Sequence, residues 1–161
     1  MKKILMAALT ASALSATPAM AQTVQTYAVT GTVNALCSIS GATTAISFGT
    51  LTNTTGGFAL QNASPSVTDS GAYCNQASTT VSIAHTNLTT TATSAGFTNT
   101  VVITPAISTP QHPTQIVGDV GPVALGAFTG LTVYATAANP GVPLVAGVYN
   151  GTITVTLAPS S

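Results

Sequence analysis

The chain has 161 residues, of which 45% are apolar, but only two basic side chains, two acidic ones and two histidines. So few charges exclude the Lys/Arg field that neutralises phosphates in nucleic acid binding, and equally a polybasic membrane contact. The apolar fraction is too high for a disordered chain. The polar remainder is mostly Thr, Ser, Asn and Gln, and Thr, Val, Ile and Tyr suit pleated, half-buried surfaces. An all-β domain is expected.

Lys2 and Lys3 lead an apolar run over residues 4–14, and Ala19-Met20-Ala21 is a small-x-small cleavage site. This predicts a Sec-type signal peptide over 1–21, with the mature chain beginning near Gln22. A transmembrane anchor is the alternative, but the run falls short of about 20 residues. Cleavage removes both lysines and leaves Asp69 and Asp119 as the charged side chains, histidine aside. A nearly uncharged β surface favours an assembled or cell-attached protein. The mature chain has single-domain length. Its Cys37 and Cys74 form an even pair in an exported protein and predict a disulfide. Two buried free thiols are the alternative.

The mature chain opens on an unusually long β pattern, over about 24–37. Tyr27, Val29, Gly31, Val33, Ala35 and Cys37 share one parity, and Thr26, Thr30, Thr32 and Asn34 hold the other. Residues 45–48 predict a second strand ended by Gly49. Gly56-Gly57 predicts a turn and 58–60 a short strand. Residues 62–71 hold Pro65, Asp69 and Gly71 and predict a loop. Residues 79–85 alternate and predict a strand. The Thr-rich stretch 89–94 reads as a loop or an exposed edge, and 98–104 as a buried strand. The prolines at 105, 110, 113 and 122 predict a surface excursion with one short edge strand at 115–117. Residues 128–136 resume strand character, and Asn139-Pro140-Gly141 predicts a turn. Residues 151–157 predict a closing strand with Ile153, Val155 and Leu157 facing the core. About seven strands with turns between them suggest a β-sandwich.

Chemistry has few carriers. General acid–base work would fall to Asp69, Asp119, His85 and His112. No G-x-S-x-G elbow presents a serine. Cys₂ lacks histidines at ligand spacing, and the histidines lack short spacing to an aspartate, so no metal site is expected. Phosphate loops, EF-hand loops and H-E-x-x-H are absent. His85 and His112 read as structural or solvated residues. The sequons at Asn53, Asn62, Asn87 and Asn150 match what a chain rich in Thr and Ser holds by chance. Neither an enzyme nor a cofactor is expected.

Three stretches resemble one family. "VTGTVNALCSISG" resembles the start of bacterial fimbrial subunits, where an extended run with a central glycine leads into the first strand and first cysteine. "ISFGTL" (46–51) resembles the Phe-Gly segment of archaic chaperone–usher pilins and spore coat protein U domains. "AGVYNGTITVTL" (146–157) resembles their closing strand. The resemblance implies an immunoglobulin-like sandwich that lacks its last strand. A periplasmic chaperone would lend that strand, and an outer-membrane usher would exchange it for the N-terminal extension of the next subunit. Residues 22–31 would then be a donor strand and 32–161 the subunit domain. Val24 or Gln25 through about Gly31 would make the contacts, with Tyr27, Val29 and Gly31 facing the acceptor groove and Thr26, Ala28 and Thr30 facing out. The register through Val24, Thr26 and Ala28 is poorer in apolar bulk. The alternative for the whole run is one long strand bent at Gly31. The implied function is a structural subunit of a surface fimbria or coat, polymerising with copies of itself or sister subunits and serving adhesion or biofilm formation. The competing reading is a self-complete secreted binding module, for instance for a glycan.

Overall fold

A computed structural model describes residues 26–40, 45–54, 57–60 and 64–159. The expected signal peptide and Val24 lie outside them. Chain contacts divide the protein into two units, residues 1–32 and 33–161. In the first, residues 26–32 form no strand and are exposed, with Tyr27 at 78% and Val29 at 94%. Among the described residues, every strand lies in the second unit.

Its strands are β1 (Cys37–Ser38), β2 (Leu51–Thr54), β3 (Gly57–Leu60), β4 (Ser66–Cys74), β5 (Thr80–Thr89), β6 (Thr100–Val101), β7 (Ile103–Ser108), β8 (Ile116–Val117), β9 (Val120–Ala124), β10 (Phe128–Ala137) and β11 (Asn150–Ala158). No helix occurs among the described residues. One sheet has the order β1-β4-β10-β7-β8. The other has the order β11-β5-β6, with β9 also paired to β5. All their ladders are antiparallel. β2 and β3 form a separate hairpin in register Leu51↔Leu60.

The two large sheets share one core. Phe128, Leu131, Ile107, Ala72 and Cys74 from the first pack with Val81 and Ile83 from the second. Each large apolar side chain so buried stabilises the fold by about 1.5–3 kcal/mol. A smaller cluster of Phe48, Ile103 and Ala135 adjoins Ile153, Leu88 and Ile46. The expected disulfide joins Cys37 to Cys74, which are register partners in the β1–β4 ladder. The buried Thr79 hydroxyl lies 2.6 Å from the Cys74 sulfur and 3.6 Å from that of Cys37.

Several expected elements differ. The opening run is not one strand: residues 26–36 join no ladder, and of the run only Cys37–Ser38 does. Residues 45–48 form no strand either. Phe48 is buried, and Gly49 at φ 68° turns the chain toward β2. The loop expected at 62–71 is largely β4. Pro65 only precedes it, and Asp69 and Gly71 mark a β-bulge, where β4 slips against β10 between Thr129 and Leu131. Beyond the bulge the inward parity moves from Val67 and Asp69 to Ala72 and Cys74, which hides the alternation that betrays a strand. The strand expected at 98–104 is two pieces. β6 belongs to one sheet and β7 to the other, with the exposed Val102 between them.

β7 also carries Pro105 into a central position. Its carbonyl accepts the Gly118 N–H at 2.8 Å, so its missing N–H faces the end of the short β8 ladder rather than β10. A proline is tolerated in a sheet only where the ladder lacks a bond to lose. The expected excursion over 105–122 is therefore strand at 103–108 and 120–124, with the short edge strand at 116–117 close to its expected place. β5, β10, β11 and the turn at Gly141 (φ 73°) stand where the sequence puts them.

Candidate functional site

Among the described residues β11 is the last strand of its sheet, bonded to β5 along one edge only. Ile153, Val155 and Leu157 face inward and are half-buried, while Thr152, Thr154 and Thr156 face solvent. Along the other edge about every second N–H and C=O points away from β5. Natural edge strands are usually blunted by lysine, proline, bulges or covering chain. Over residues 150–158 β11 has neither lysine nor proline, and its bulge is at its very start, between Asn150 and Thr152. Gly151 suits that bulge because a Cβ there would lie 2.7 Å from the Thr86 carbonyl oxygen and 2.9 Å from that of Asn87.

A groove of about 520 Å³ adjoins this strand. Ile153 and Val155 line it from β11, and Leu131, Val133 and Ala135 line it from β10. Leu88, Ile103 and Val67 add apolar surface from β5, β7 and β4. The segment after β1 contributes Ile39, Ile46 and Phe48. No charged residue lines the groove. An apolar cleft beside an unpaired strand edge can take up an extended chain, with main-chain bonds to the edge and alternate side chains in the cleft. The expected closing-strand residues Ile153 and Val155 thus meet here, while Leu157 packs against the main core.

Near the groove, Asp69 gathers backbone. It accepts the Ser40 N–H at 3.0 Å and the Ser40 hydroxyl at 2.5 Å, and the N–H groups of Gly71 and Ala72 at 2.9 and 3.1 Å. The Ser40 hydroxyl above all holds its carboxyl below the usual carboxylate range, helped by those N–H groups against a desolvation that raises it. At the start of β11, the Tyr149 hydroxyl lies 2.9 Å from the Val145 carbonyl oxygen and 3.2 Å from that of Thr98. Neither arrangement is evident from the sequence. A chain-order signal existed for the first in the Asp-Ser-Gly tripeptide at 69–71, which reads as a turn but is a bulge.

The acid–base candidates are dispersed. His85 Nδ1 lies 2.6 Å from Asp119 Oδ1, which ties the residue before β9 to β5. His112 Nδ1 lies 3.0 Å from the Thr114 carbonyl oxygen within its own turn. Asp69 is engaged with Ser40. Among the described residues no group of three or more His, Cys, Asp and Glu could hold a metal. Tyr27, Val29 and Gly31 lie outside any strand with their surfaces exposed. No protein-family model, curated protein or solved structure matches the chain.

Proposed function

We propose that this protein is a structural subunit of a cell-surface fimbria or coat, assembled by strand exchange and serving adhesion or biofilm formation. The apolar groove beside the free edge of β11 carries the reading. Its occupant is the segment around 24–31 of a second copy or a sister subunit. Tyr27 and Val29 alternate with Thr26, Ala28 and Thr30 on unpaired, exposed chain, the pattern that a half-buried added strand requires.

The topology supports the same reading. In a constant-type immunoglobulin sandwich, strands A, B, E and D form one sheet, and C, F and G the other. With β1, β4, β5, β7, β10 and β11 taken as A to F in chain order, the observed orders β1-β4-β10-β7 and β11-β5 match that scheme. The position left over is G, beside β11 on the side away from β5. The Tyr149 bond to Val145 fits the tyrosine corner at the start of strand F. A periplasmic chaperone would fill the vacant position in transit, and an outer-membrane usher would hand it to the next subunit.

The test is a gel of material sheared from native cells, unboiled beside boiled and probed for this chain. A ladder that collapses to monomer on boiling is expected, because strand-exchanged contacts are non-covalent. Monomer in both lanes would refute the polymer and favour a self-complete binding module. Deleting residues 22–31 should leave a folded subunit that its neighbour cannot accept.

A further inference from the structure

Part of the groove lining is loop. After Ser38 the chain leaves its ladder with β4, yet Ile39, Ile46 and Phe48 still line the cleft. An unpaired segment presents a fixed surface only if something else holds it: Phe48 is anchored in the smaller core cluster, and beside Ile39 a carboxylate holds Ser40. Asp69 takes both the N–H and the hydroxyl of Ser40, and its Oδ1 also takes the two N–H groups of the β4 bulge. Hydrogen bonds to an ionised acceptor are roughly twice as strong as neutral ones. Gly71 completes the arrangement, since a Cβ there would lie 3.0 Å from the Ser40 Cβ. The bulge therefore offers a carboxylate and a bare backbone position to the same serine.

We propose that Asp69 is a positioning residue for strand uptake. With Ser40 and Gly71 it forms a clasp that holds Ile39 at the groove, so that an incoming strand meets a preformed apolar surface. This rests on the strand-acceptor reading above. Binding to a preorganised site avoids the ordering cost of a loose one. Protonation of Asp69 removes acceptor capacity and loosens the clasp. Its surroundings, Ser40, Gly71, Ala72 and the register partner Leu131 on β10, bring no second ionisable side chain to it.

The test uses the full mature chain and a fluorescent synthetic peptide with the sequence of residues 22–33, followed by anisotropy. At neutral pH the Asp69→Asn and Ser40→Ala variants should each take up the peptide roughly tenfold more slowly than the parent. The double variant should be no slower than the worse single one, because both remove the same contact. Parent uptake should fall as the pH drops through the depressed Asp69 value, below its ordinary 3.8, while Asp69→Asn shows no such step. Circular dichroism melts identify a variant that fails to fold, and the milder Ser40→Ala keeps the test open if Asp69→Asn does. Uptake by folded variants at the parent rate, with the parent's pH profile, would overturn the clasp and leave the strand-acceptor reading standing. A parent chain that takes up no peptide would remove both.

Discussion

Replacing Cys37 and Cys74 together by alanine should cost about 4 kcal/mol of stability. The cross-link joins residues 37 apart in sequence, and the chain-entropy relation for a loop of that length gives about 4 kcal/mol at room temperature. Without the bond, β1 is only two residues of ladder. Beside the Asp69 bonds to Ser40, it is flanked by the Asn75 bracket, in which Asn75 accepts the Leu36 N–H at 2.8 Å, donates to the Asn34 carbonyl at 2.9 Å and donates its own N–H to the Leu36 carbonyl at 3.1 Å. Cys74 is also in the core at 1% exposure, so losing its sulfur adds a small void to the entropic loss. The total is a large share of the 5–15 kcal/mol that holds a typical domain together. The chain has no tryptophan, so urea unfolding is best followed by circular dichroism or tyrosine emission. With a denaturant slope of about 2 kcal/mol/M, the midpoint should fall by about 2 M. A shift below about 0.5 M would refute the reasoning, because it would mean that the unfolded chain already holds these two positions together.

Gly151→Ala should lose about 1–3 kcal/mol, read as a lower melting temperature, since its Cβ would meet the Thr86 and Asn87 carbonyl oxygens at 2.7 and 2.9 Å. Tyr149→Phe removes the hydroxyl between Thr98 and Val145 and should cost about 1–3 kcal/mol in urea unfolding. Ile39→Asp should leave the fold intact, because Ile39 is 40% exposed, but should abolish the unboiled ladder by placing a charge in the groove. Asp69 has a folded pKa depressed below its ordinary 3.8. Its contribution is therefore fully present above about pH 4 and lost as pH falls through the lower folded value. The urea midpoints of the parent and Asp69→Asn should differ at pH 7 and converge on acidification.

The strands easiest to find from sequence were those with unbroken alternation. β5, β10 and β11 each place one parity inward for several residues, and that periodicity is local information. β4 was hidden because its bulge reverses the parity at Ser70–Gly71, and because Asp69 and Gly71 are turn formers used here to bend a strand. β7 was hidden by Pro105, which is admissible only because β8 is too short to demand an N–H there. The opening run shows the converse. Its alternation is clear, yet residues 26–36 have no partner strand within the described chain, and alternation records what a segment can bury rather than what buries it. The β11 side of the groove was visible, since Ile153 and Val155 stood on the expected inner face. The contributions of Ile39, Val67 and Val133 depend on which strands become neighbours, which spacing along the chain does not encode.

The bond between Cys37 and Cys74 also decides how the protein responds to tension. A pull on the two ends of the chain enters at Cys37, crosses the sulfur bridge and leaves from Cys74. Everything between them, including the β2–β3 hairpin, the groove-lining segment and most of β4, lies off the path of the force. Those residues cannot lengthen under force while the bridge is intact. The fully extended oxidised chain should be shorter than the reduced one by roughly 120 Å, so reduction sets how far the protein can stretch before a covalent bond carries the load.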